Sequence, residues 1–170
     1  MNINNQKIFS IYILLYLSIL IGNYFNEDLA YGAIHDYLIH KKNAEILGNN
    51  IIGTFLNYDE LRMPHSPIYL LYFFFLNNFF GENIAKLINI HLTLLIPLFA
   101  YLSLKIKFSF KENNLIKLLP LIFFISPYYR AGAIWVDDNI LSVSFLTVSG
   151  HLAFNMSFHA SMLLPLYCFW

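Results

Sequence analysis

The chain reads as an all-α integral membrane protein of about four transmembrane helices, with a large external first loop that carries interfacial helices. Three observations lead there. Hydrophobic residues make up 58% of the sequence and charged residues 12%, against about 25% charged in soluble domains. So little polar surface cannot cover a globule in water. The apolar residues gather into runs close to the roughly 20 residues that cross a bilayer. The charges gather at the ends of those runs.

The same composition narrows the function classes. Ten basic and ten acidic residues leave no net charge, so no basic field recruits nucleic acid. A lone cysteine, Cys168, excludes an internal disulfide framework and a multi-cysteine metal site. The sequence has no GxxxxGK[ST], GxGxxG or GxSxG pattern, which removes nucleotide-driven transport, dinucleotide cofactors and serine hydrolysis. Residues 1–170 form one membrane domain.

Residues 8–25 are the first span, with one glycine and no charge. Lys7 precedes it as in a signal peptide, but the bulky Asn23-Tyr24-Phe25-Asn26 offers no small-residue cleavage site, so it reads as a retained anchor. Residues 26–83 follow as a long mixed segment: a polar, helix-compatible stretch (28–41), a turn-rich stretch (43–67) and an aromatic patch (68–80). The patch has 13 residues, interrupted by Asn77-Asn78. Too short to span, it predicts an interfacial or re-entrant helix with rings at headgroup depth. After Gly81-Glu82-Asn83, residues 84–104 make a second span containing Lys86, His91 and Pro97. Residues 115–129 make a short third, with Lys117 near one end and Pro120 inside, and a fourth starts at Asn139.

Lysine and arginine near span ends set orientation. Lys105, Lys107, Lys111 and Lys117 crowd the connection after span two, which puts that connection and the N-terminus with Lys7 in the cytoplasm. The 26–83 and 127–139 loops then face outward. Both acidic clusters fall on that external face: Asn26-Glu27-Asp28, and Asp137-Asp138 downstream of Arg130. Charges at the mouth of a membrane helix mark a place where chemistry meets lipid.

Each cluster has a structural and a chemical reading. Asn26 or Asp28 can cap the following helix; alternatively Glu27 or Asp28, desolvated beside lipid, serves as a base or metal ligand. In Met63-Pro64-His65-Ser66-Pro67-Ile68-Tyr69 two prolines fix the entry to the aromatic helix, and His65 is an interfacial polar group or a ligand. Tyr128, Tyr129 and Trp135 read as belt aromatics, with Asp138 or Asn139 capping the fourth span. Arg130, whose guanidinium suits phosphate, stands near two aspartates. His91 is expected to hydrogen-bond a neighbouring helix; His35 and His40 are expected on the surface.

The order of these pieces resembles the GT-C superfamily of membrane glycosyltransferases, in the branch of the protein mannosyltransferases and the lipid A aminoarabinose transferase. The resembling features are an acidic residue directly after the first span, His65-Ser66-Pro67-Ile68-Tyr69 opening an interfacial helix, Phe80-Gly81 ending it, and Ala85-Lys86-Leu87 opening the next span. Ser126-Pro127, then Tyr129-Arg130 and Asp137-Asp138-Asn139, complete the series. The match covers roughly residues 8–150. It departs from the family at Ser66, where a proline is usual, and at Lys86, where arginine is commoner.

The resemblance implies an inverting transfer of a sugar from a polyprenyl-phosphate donor to a glycan, lipid or protein acceptor on the external face of a bacterial inner membrane. It implies Asp28 or its neighbour Glu27 as the base, Arg130 as the phosphate contact, and His65 and Tyr69 as further substrate contacts. It leaves Asp137 and Asp138 as candidate ligands of a divalent metal, a cofactor that varies between branches. The uncharged tail from Ser149 and the small number of spans predict the N-terminal part of a longer module, truncated or frameshifted near Gly150. The alternatives are a non-enzymatic polytopic membrane subunit and a lipid-linked glycan flippase or polymerase component.

Overall fold

The structure, a computed structural model, describes residues 5–29, 32–58, 66–108 and 114–167, without the side chains of 154 and 156–167. The described residues are helical, with no strand among them. Helix α1 (Asn5–Tyr24) is followed by α2 (Ala33–Asn49), α3 (Ile51–Leu56), α4 (Pro67–Phe80), α5 (Glu82–Thr93) and α6 (Leu95–Lys107). Then come α7 (Asn114–Leu118), α8 (Leu121–Ile125), α9 (Pro127–Trp135) and α10 (Asp138–Tyr167). Two helical stretches, Asn5–Tyr24 and Glu82–Lys107, are long and apolar enough to cross a membrane; a bent pair, Asn114–Ile125 with Pro127–Trp135, would make a third.

Two prolines explain where the long helices break. Pro97 lacks an N–H, so the Thr93 carbonyl has no intrahelical partner. The Tyr129 hydroxyl supplies one, donating to it at 2.8 Å, and the helix divides at Leu94 into α5 and α6. The predicted third span is interrupted too. Pro120 separates α7 from α8, and Ser126, in extended conformation before Pro127 as a pre-proline residue prefers, turns the chain by 62°.

After that bend, most of the 127–139 connection is helical. Residues Pro127–Trp135 form a helix whose Tyr129, Ala131, Gly132, Ala133, Ile134 and Trp135 are all buried. The small residues of its middle let α5 approach closely. Asn89 then donates to the carbonyls of Gly132 at 3.3 Å and Ala133 at 2.8 Å. Tyr129 and Trp135 are therefore core residues rather than belt aromatics, while Tyr128 is 76% exposed.

Helices α2, α4, α5 and α9 pack together at one end of the molecule, which also holds both acidic clusters. Tyr37, Tyr69, Leu70, Phe73, Ile134 and Val136 form its core. His40 belongs to this core at 2% exposure, stacked edge-on to Tyr69 with ring centres 5.1 Å apart; its expected place on the surface was wrong because α4 covers that face of α2. His35 is exposed. At the opposite end Lys117 donates to the Asn5 side chain at 2.8 Å, so α7 and the start of α1 lie together. His91 meets a neighbouring helix as expected, 2.8 Å from the Tyr16 hydroxyl. Helix α10 packs along α6, with the His151 and Phe99 rings 5.2 Å apart.

Candidate functional site at the acidic end

Each acidic cluster is delivered by the same backbone device. Helix α1 ends with Asn26 at φ 54°. The Asn26 N–H reaches the Asn23 carbonyl at 3.2 Å and the Glu27 N–H reaches Gly22 at 2.8 Å, the paired bonds of a left-handed helix cap. Helix α9 ends on Val136 at φ 57°, with the Asp137 N–H bonded to Gly132 at 3.0 Å. Asparagine accepts that conformation readily; a β-branched valine does so only under strain. Val136 is held by its burial and by the Tyr69 hydroxyl, which donates to its carbonyl. Both turns swing the next two residues, Glu27-Asp28 and Asp137-Asp138, across the helix end.

Across this end Arg130 meets Glu27. The guanidinium Nε lies 2.7 Å from one carboxylate oxygen and a terminal nitrogen 2.7 Å from the other. The remaining donors go to Ser18, at 2.7 Å to its hydroxyl and 3.2 Å to its carbonyl. Both charged side chains are largely buried, 13% exposed for Arg130 and 18% for Glu27. Two-point geometry of this kind makes the strongest ion pairs. Gly22 permits it: a Cβ there would stand 2.2 Å from a Glu27 carboxylate oxygen.

A second charged group adjoins the first through Trp135. Its indole N–H donates to the Glu27 carbonyl at 2.8 Å, while its ring lies under Lys86, whose ammonium is 4.0 Å from the ring centre. Tyr37 offers Lys86 a second face at 4.8 Å. Glu82 accepts from Lys86 at 3.0 Å, one turn away, and from Lys41 at 3.2 Å. Burial, then the Glu82 carboxylate, push the Tyr37 phenol well above its ordinary range. The chain of contacts therefore runs Lys41, Glu82, Lys86, Trp135, Glu27, Arg130, Ser18.

The other expected residues are placed differently. Asp28 turns both oxygens to the start of α2, accepting from the N–H groups of Gly32 and Ala33 at 3.2 Å and of Ile34 at 3.4 Å, as a carboxylate favours at a helix N-terminus. Asp137 accepts from the Asn139 N–H at 2.7 Å and so caps α10. Burial first, then the Asp138 and Asp137 carboxylates, raise the Tyr69 phenol far above its ordinary value, which sets Tyr69 beside the second cluster. His65 lies outside the described residues. Among the described residues no three His, Cys, Asp or Glu side chains gather into a group that could hold a metal ion.

Sequence reasoning missed Glu82, Lys86, Trp135, Tyr37 and Ser18 as members of the site. One signal was available: Lys86 follows Glu82 by four residues, on one helix face, at the mouth of an apolar span. Trp135 and Ser18 carry no such mark. Comparison with known proteins finds no protein family, no curated protein and no solved structure that matches the chain.

Proposed function

We propose that the chain is a membrane glycosyltransferase that moves a sugar from a polyprenyl-phosphate donor to an acceptor hydroxyl outside the membrane. One observation supports this above the others. A guanidinium able to hold phosphate and a carboxylate able to take a proton, Arg130 and Glu27, 103 residues apart in sequence, meet at the acidic end. In this reading α10 is a fourth span, and the lysine end containing Lys7, Lys105, Lys107 and Lys117 is cytoplasmic.

The acceptor oxygen attacks the anomeric carbon as the bond from that carbon to the phosphate oxygen breaks. The lipid phosphate leaves with the electron pair, and the hydroxyl proton passes to a carboxylate. Arg130, seconded by Lys86, neutralises the leaving phosphate. Phosphate competes with Glu27 for the Arg130 fork, and Glu27 is freed as it binds; Asp28 or the freed Glu27 is the base. Tyr69 and His65 contact substrate in the same reading.

A second reading, a non-catalytic polytopic subunit, is favoured by the pairing of Arg130 with Glu27 and of Lys86 with Glu82, because charges matched inside a membrane domain also serve assembly. Binding separates the two. The purified chain in phosphatidylcholine nanodiscs is titrated with a polyprenyl monophosphate. Glycosyl transfer requires saturable binding that Arg130→Ala weakens at least about tenfold, the worth of one charge-assisted bond. Unsaturable binding, or binding indifferent to Arg130, supports the subunit.

A further inference from the structure

A cleft of about 580 Å³ opens between α1 and helices α6, α7 and α8 at the lysine end, away from the acidic site. Phe9 and Ile13 of α1 and Leu98 of α6 wall it, all three exposed. Its volume is that of a small-molecule site. Along α1 it runs from Asn5 to Tyr16, about 16 Å of helix axis, which matches the hydrocarbon depth of one leaflet. Tyr16 stops its inner end, with its hydroxyl engaged by His91. Lys105 and Lys117 line the same cleft. Lys105 lies in the last turn of α6, and Lys117 is tethered to Asn5 at the start of α1. The cleft is apolar along one leaflet's depth and cationic at its mouth.

We infer that this cleft is a binding site for one anionic phospholipid of the leaflet at the lysine end. An acyl chain lies along α1 between Phe9, Ile13 and Leu98, and the headgroup phosphate is held by Lys105 and Lys117. Basic pockets between membrane helices select anionic headgroups, each cation contributing near the surface. A zwitterionic lipid could fill the apolar part but gains nothing at the mouth. The site is independent of the glycosyl-transfer reading, which concerns the opposite end.

The full chain is purified in detergent, offered phosphatidylglycerol or phosphatidylcholine with identical acyl chains, and bound lipid is counted by native mass spectrometry. Phosphatidylglycerol should be retained in preference, one per chain. The double variant Lys105→Gln, Lys117→Gln should weaken it about tenfold without changing the little phosphatidylcholine retained. Leu98→Trp, which fills the cleft and spares both lysines, should displace the lipid. In native membranes a phosphatidylglycerol with a photoactivatable acyl chain should label peptides covering residues 8–16 and 94–105, a readout that needs no variant. Equal retention of the two lipids, indifference to the lysines, labelling elsewhere, or a lipid-independent dimer covering the cleft would each overturn the assignment.

Discussion

Arg130 and Glu27 hold one another through two 2.7 Å hydrogen bonds, although 103 residues separate them. The contact fastens α9 to the end of α1 and orders the acidic end. It also sets the stability of the fold against the chemistry proposed for the site, because the same guanidinium serves both.

Removing one member should cost more than removing both. Arg130→Ala leaves Glu27 buried beside Ser18 without a counter-charge and should destabilise the chain by roughly 3 kcal/mol. The double variant with Glu27→Ala should recover part of that loss. Urea unfolding of the four proteins in mild detergent gives the coupling directly; a coupling near zero means that the pair is not formed.

Gly22→Ala should have a sign that depends on Arg130. Alanine favours helix over glycine by about 1 kcal/mol, but its Cβ would collide with the carboxylate that Arg130 holds. The substitution should lower Tm in the native background and raise it in Arg130→Ala, where Glu27 can swing aside. A rise in both backgrounds would show that Glu27 is free to move.

The left-handed turn after α1 makes a separate demand. Asn26 is exposed, at φ 54°. Asn26→Gly should therefore leave stability nearly unchanged, and Asn26→Val should cost about 1–2 kcal/mol. Equal Tm values for the two variants would mean that the turn is not left-handed.

Alkaline pH tests the buried phenols. Tyr69 and Tyr37 are pushed upward, by burial first, from an unfolded value near 10. Each therefore adds stability that is complete below about pH 10 and declines as pH rises above it toward the folded value. Tyr69→Phe should flatten that decline, seen as a smaller loss of Tm between pH 9.5 and 11. An unchanged slope would put Tyr69 in contact with water.

Much of the frame was legible in the sequence. The apolar run at 8–25 became α1, the aromatic patch at 68–80 became α4, and lysine crowding marked one end. Capping was an open reading of Asp28, and Asp28 does bond the start of α2. What stayed hidden depends on contacts between distant residues. Nothing near Val136 announces a left-handed turn, since valine is among the residues least suited to one. The 62° bend follows from Ser126-Pro127, yet the burial of α9 follows from the small Ala131, Gly132 and Ala133 meeting Asn89 of α5. The pairing of Arg130 with Glu27 stayed hidden because the two were read in separate roles, phosphate contact and base, and nothing local links residues 103 apart.

The most direct measurement is sugar transfer in membranes that carry the chain, from a radiolabelled polyprenyl-phosphate sugar to endogenous acceptor. The account predicts transfer with inversion at the anomeric carbon. It also predicts a loss of about 100-fold or more in the double variant Glu27→Gln, Asp28→Asn, which keeps side-chain shape but removes both negative charges, and in Arg130→Ala. Transfer by both variants at the wild-type rate would contradict it.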